Sequence, residues 1–272
     1  MSLLNLERRD YFAIAVAMLF GLLGGIAGHI LSWEVQIENS IRIATGLAIL
    51  LGLFALYRNV PGKKGSYARN LEMIGIGTGF FLVSWIPHIG WHMGENAALL
   101  GLSEGFWTGL FHTWNAVSFL IIAYGMYLFY RATKSERDED FVENGFLNLH
   151  LTAEDYQFLM FTGWTILLGA IVGQIVGFSP AFEWATTMIQ VPFILAALYF
   201  IYRNNVWQGD IGRNLSLVGV GLLIIMIDYI FHIPWHLMDN PAWGISTGFW
   251  VGLFHLWITG GFLLIAYAFN EL

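Results

Sequence analysis

The chain of 272 residues is 57% hydrophobic and 11% charged, with a mean hydropathy of +0.63, where a soluble globular domain carries about 25% charged residues. Twelve Lys plus Arg against nineteen Asp plus Glu give a net charge of −7 and no basic run long enough to follow a phosphate backbone. A water-soluble enzyme, a disordered scaffold and a nucleic-acid binder are therefore excluded. No cysteine is present, which removes disulfides, thiolate metal sites and iron–sulfur clusters. The composition is that of an integral protein of a lipid bilayer.

Apolar stretches of about 20 residues cross a bilayer as helices, and the pattern predicts eight. They cover Tyr11–Trp33, Ile41–Tyr57, Leu71–His92, Gly105–Tyr130, Tyr156–Phe178, Ala185–Tyr202, Leu215–Met238 and Gly248–Phe269. The first is too long for a removable signal peptide and no small-residue cleavage site follows it. Arg8 and Arg9 precede span one, and Arg58, Lys63, Lys64 and Arg69 separate spans two and three. Arg131, Lys134 and Arg137 follow span four, while Arg203 and Arg213 separate spans six and seven. Eight spans place all of these on one face, which the positive-inside rule assigns to the cytoplasm together with both termini. Only Arg42 falls at the other face. The acidic stretch Lys134–Asp155 reads as a solvated linker.

The second half of the chain repeats the first. Asp10-Tyr11 and Tyr57-Arg58-Asn59 recur 145 residues later as Asp155-Tyr156 and Tyr202-Arg203-Asn204. Arg69-Asn70-Leu71 recurs at an offset of 144 as Arg213-Asn214-Leu215. The run from Gly105 to Trp114 recurs at an offset of 143 from Gly248 to Trp257. Each half has an even number of spans, so both insert the same way round. The expected fold is an all-α integral membrane protein of two parallel four-helix repeats, related by a pseudo-two-fold along the membrane normal. Residues 1–133 form the first repeat, 134–154 an acidic cytoplasmic linker, and 155–272 the second repeat. Gly21, Gly24, Gly25 and Gly28, with Gly169 and Gly173, are expected to let helices approach closely.

Six of the eight histidines obey the repeat: His88, His92 and His112 correspond to His232, His236 and His255. His-x3-His puts two imidazoles on one helix face. At a rise of about 1.5 Å per residue, the histidine of the next span reaches the same depth, near the extracytoplasmic surface. Asp228 extends the stripe of His232 and His236 by one turn, and an ionisable group inside a span is a candidate for function. The first half carries Ser84 there, so the two sites are chemically unequal. Pro87 and Pro234 are expected to kink the helices at this level, and Glu95 and Asp239 to accept imidazole N–H groups. His29, whose repeat partner is Gln174, and His150 in the linker read as an interhelical hydrogen bond or an interfacial anchor. The tryptophans beside the histidines read as an interfacial belt.

Imidazoles gathered this way suit copper, iron or zinc. The expected metal ligands are His88, His92, His112, Asp228, His232, His236 and His255, with Ser84, Glu95 and Asp239 in support. Helices packed about 8–10 Å apart leave little room for a haem between neighbouring spans, so non-haem copper or iron is the first expectation and b-type haem the second.

The order Asp228-x3-His232, a short outer loop, then His255-x-Trp257 resembles the C subunit of copper-dependent membrane monooxygenases of the ammonia and methane type. That likeness implies copper at Asp228, His232 and His255, with Ser84, His88 and His112 as a modified counterpart. His232 and His255 stand 23 residues apart, longer than that family's spacing, and the duplication departs from its pattern.

The expected function is a membrane-embedded redox metalloprotein subunit that oxidises a small substrate or relays electrons, beside other membrane subunits or a second copy of itself. The alternatives are a b-type haem electron-transfer subunit, an ion or proton transporter, and a structural subunit. A retinal protein is disfavoured by the lack of a lysine within any span, and a serine or cysteine hydrolase by the lack of a Gly-x-Ser-x-Gly elbow and of any cysteine.

Overall fold

A computed structural model describes residues 6–31, 35–60, 68–93, 100–132, 142–143, 149–203, 209–238 and 244–271. Nine helices occur among them: α1 (Arg8–Leu31), α2 (Val35–Asn59), α3 (Ala68–Met93), α4 (Glu104–Ala132), α5 (Ala153–Val176), α6 (Pro180–Met188), α7 (Gln190–Arg203), α8 (Gly209–Met238) and α9 (Thr247–Asn270). Two short antiparallel strands, β1 (Val142–Glu143) and β2 (His150–Leu151), lie between α4 and α5. Eight helical segments are long and apolar enough to cross a bilayer, which supports an integral multi-pass membrane protein. The predicted spans agree with these helices to within a few residues at most ends.

Span six departs from the prediction, being built from α6 and α7 with an interruption at Ile189. Pro192 has no N–H to give to the carbonyl of Met188 and its ring crowds that carbonyl, so the helix restarts at Gln190. Pro87, in contrast, lies inside the continuous α3. Several helix starts are fixed by short polar side chains. Ser179 caps α6 ahead of Pro180, Ser246 caps α9, and Thr152 with Asp155 forms a capping box on α5.

The chain divides into two compact units. The first takes Met1–Ala55 and Trp207–Leu272, so that α1 and α8 pack on α9. Here the glycines govern the packing. A Cβ on Gly24 would strike the backbone of Gly252, and one on Gly28 the backbone of Gly248. Only hydrogen at these positions lets the two backbones meet, the small-residue contact expected of membrane helices.

The second unit takes Leu56–Val206 and is organised around α4, against which α3, α5, α6 and α7 pack. Gly105 and Gly109 meet Gly173 and Gly169 of α5 in the same backbone-to-backbone manner. Phe81, Phe119, Met73, Ile121 and Phe129 fill the interior. Leu151 joins Met73, Val117, Ile121 and Leu128 in one apolar cluster. The end of the stretch read as a solvated linker is thus part of the packed unit, because Leu151 and Asp155 are buried.

Each unit also contains a buried ion pair among its described residues. In the first, Arg213 of α8 grips Asp10 of α1, with Nε and Nη2 each 2.6 Å from a carboxylate oxygen. Tyr267 donates to the same carboxylate at 3.3 Å, and the Glu7 backbone N–H does so at 2.8 Å. In the second, Arg69 of α3 grips Asp155 of α5 at 2.7 and 2.8 Å. Tyr124 and the Thr152 backbone N–H complete that cluster at 3.2 and 2.9 Å.

Candidate functional site

The site in the second unit is set by the register of α3 on α4. Gly77 lies against Ile122, Gly125 against Ile74, and the Ser84 hydroxyl against the Asn115 side chain, so the helices run antiparallel. Continuing along both helices brings His88 opposite His112. Their ring centroids are 5.6 Å apart with the planes at 68°, and both residues are buried. Trp85, Trp91 and Phe111 surround His88, with ring centroids at 5.2, 6.1 and 5.0 Å.

The hydrogen bonds of His112 decide which ring nitrogen carries the proton. Its Nδ1 lies 3.1 Å from the Thr186 hydroxyl and 3.0 Å from that of Thr187. Thr186 Oγ1 donates within its own helix to Phe182 O or Glu183 O, each at 3.0 Å, and Thr187 Oγ1 donates to Glu183 O at 2.8 Å. With their protons committed to carbonyls, the threonine oxygens accept, so Nδ1 of His112 is the N–H donor. The lone pair is then on Nε2. His255 reaches the same tautomer by another route, donating Nδ1–H to Val251 O at 2.9 Å.

The first unit uses different neighbours. Gly221 meets Ile265 and Gly261 meets Ile225, which sets α8 antiparallel to α9 and puts the fully buried Asp228 level with Ile258, near His255. Thr45 of α2 bonds Thr259 of α9 at 2.6 Å, one turn along α9 from His255.

His88 and His112 are the sequence-predicted ligands that the structure brings together. Among the described residues no group of three or more His, Asp or Glu is placed to hold a metal ion. His92, His232 and His236 lie on helices, but their side chains are outside the described residues, as are Glu95 and Asp239 altogether. Ser84, expected in support, stands within hydrogen-bond distance of Phe81 O, at 2.7 Å, and of Asn115. His29 makes the interhelical bond expected of it, Nδ1 to Ser246 Oγ at 2.8 Å.

Four residues at this site escape the sequence reading: Thr186, Thr187, Asn115 and Gln190. The repeat itself held a signal for the threonines, since Thr187 stands 145 residues after Arg42, a polar position in an apolar span of both halves. No family model, no curated protein and no solved structure matches the chain.

Proposed function

We propose that the chain is a membrane-embedded redox metalloprotein subunit that holds non-haem copper or iron at histidines near the extracytoplasmic ends of its spans. The supporting observation is the buried His88–His112 pair, with rings 5.6 Å apart and His112 Nδ1 occupied by threonine hydroxyls. A buried imidazole whose Nδ1–H is already satisfied, as in His112, keeps Nε2 available for a metal, and such outer hydrogen bonds orient ligating histidines. Imidazole suits copper and iron. A bound ion of this kind would supply one-electron chemistry.

In this reading the chain is two parallel four-helix repeats about a pseudo-two-fold along the membrane normal, with both termini in the cytoplasm. The ion pairs Arg69–Asp155 and Arg213–Asp10 support the repeat, because their arginines stand 144 residues apart and their aspartates 145. Other membrane subunits or a second copy pass the electrons on. The exposed apolar faces of α1 and α5, which include Phe12, Trp164 and Ile175, are where lipid or such a partner lies.

The test is metal analysis of protein purified without added metal, with its visible and paramagnetic resonance spectra. Stoichiometric copper or iron is expected, without a Soret band, and reduced in H88A, H112A, H232A and H255A. A Soret band would assign haem instead. Folded protein with neither signal would overturn the proposal.

A further inference from the structure

We infer that the second unit holds a buried site, seated on Gln190, for a small uncharged molecule that presents a hydrogen-bond donor and acceptor side by side. The inference does not rest on the metal reading.

Gln190 opens α7 just past the interruption at Ile189 and is 1% exposed. Neither the nitrogen nor the oxygen of its side-chain amide has a hydrogen-bond partner among the described residues. A carboxamide held away from water with no partner is costly, and native structures keep such groups satisfied by protein, water or ligand.

The surroundings follow from the register of α7 on α4. Thr187 Oγ1 lies 3.0 Å from His112 Nδ1, the rings of Phe200 and Tyr127 are 5.4 Å apart, and Arg203 Nη2 donates to Tyr130 OH at 3.1 Å. These contacts make the two helices parallel. One turn along each from Thr187 and His112, Gln190 comes level with Asn115 and Ala116. Ser84 joins the same level from α3 through Asn115. Ser84 and Asn115 are buried, as are Thr186 and Thr187 one turn away.

Charge and the comparison with the other half narrow the ligand. From Thr186 to Ile194, from Phe111 to Leu120 and from Phe80 to Ile89 there is no Lys, Arg, Asp or Glu, so nothing here neutralises an ion. In the first unit the corresponding positions, 145 before Gln190 and 143 after Ala116, are Thr45 and Thr259, which bond each other at 2.6 Å. There the two polar groups satisfy one another. Here an amide stands level with a methyl group, and its carbonyl and NH2 lie side by side. The matching ligand is amide-like.

The experiment uses the full chain and formamide as the probe. Cryo-EM maps are recorded with and without it, for the wild type and for Gln190→Met. Formamide should give planar density within hydrogen-bond distance of the Gln190 amide, missing from the map without formamide and from Q190M with its fold unchanged. No density there, water-sized density that formamide does not alter, or formamide density that persists in Q190M would overturn the inference. A measurement that needs no variant compares formamide with acetone, which is similar in size but only accepts. Formamide should raise the unfolding temperature saturably and acetone should not; equal effects would also overturn it.

Discussion

Arg213 and Asp10 are 203 residues apart in the chain and form a two-pronged ion pair at 2.6 Å on each prong, with side chains 4% and 0% exposed. The guanidinium fork matches the carboxylate geometry, and Tyr267 and the Glu7 N–H occupy the remaining acceptor positions on Asp10. Such a pair is worth little over an apolar replacement, but removing one partner strands a buried charge. Arg213→Ala should therefore lower stability by about 3–5 kcal/mol, and Arg69→Ala should do the same through Asp155. The double change Arg213→Met with Asp10→Leu should recover most of the loss. Thermal unfolding in detergent reads both effects, and an unchanged midpoint for R213A would contradict the burial of Asp10.

The glycine contacts make a paired prediction. A methyl group at Gly28 would enter the backbone of Gly248, and one at Gly173 that of Gly105, whereas one at Gly46 or Gly163 meets nothing within 4 Å. Gly28→Ala and Gly173→Ala should each cost about 1–3 kcal/mol through overpacking. Gly46→Ala and Gly163→Ala should leave the unfolding midpoint level or raise it, since Ala favours helix over Gly by about 1 kcal/mol.

If His112 ligates a metal through Nε2, its threonine partners set the ring's tautomer and orientation. Thr186→Val with Thr187→Val should weaken metal affinity about 10–100-fold, the usual penalty for losing an outer hydrogen-bond partner. Chelator competition measures it. An affinity that does not move would place the metal away from His112.

Ser246 has two tasks, capping α9 by accepting from the Phe249 N–H at 3.3 Å and bonding His29 at 2.8 Å. Ser246→Ala should cost about 0.5–2 kcal/mol, in the range of a lost cap. Ser103, which bonds Gln174 at 3.0 Å and accepts from the Phe106 N–H at 3.1 Å, should respond similarly to alanine. Unfolding midpoints decide both cases.

The helices were legible because twenty-residue apolar runs have few other uses, and most predicted ends lie close to those observed. The break at Ile189 was missed because the mean hydropathy of the span stays high across it, and the missing N–H of Pro192 interrupts the ladder. Asp10, Asp155, Arg69 and Arg213 were visible as markers of repetition but not as partners. Sequence spacing places Arg69 beside a membrane face and says nothing of which helix will meet it. The His88–His112 approach was within reach, since antiparallel neighbours joined by a short loop bring residues at equal depth together. The repeat marks Thr187 as a polar position, but its meeting with His112, that of Thr186, and the place of the Gln190 amide were not within reach, because they arrive from a helix more than 70 residues further on whose register no local pattern sets.

The first unit joins α1 to α8 and α9, helices far apart in the sequence, and this shapes how the protein is made. At about 5–20 residues per second, roughly 10–40 s separate the emergence of Asp10 from that of Arg213. Throughout that interval α1 sits in the bilayer with a carboxylate and a bare glycine stripe, and its proper neighbours are not yet synthesised. Completion of this unit waits on the synthesis of α9, and the early helix depends on a holding factor or on its own patience in lipid until that partner arrives.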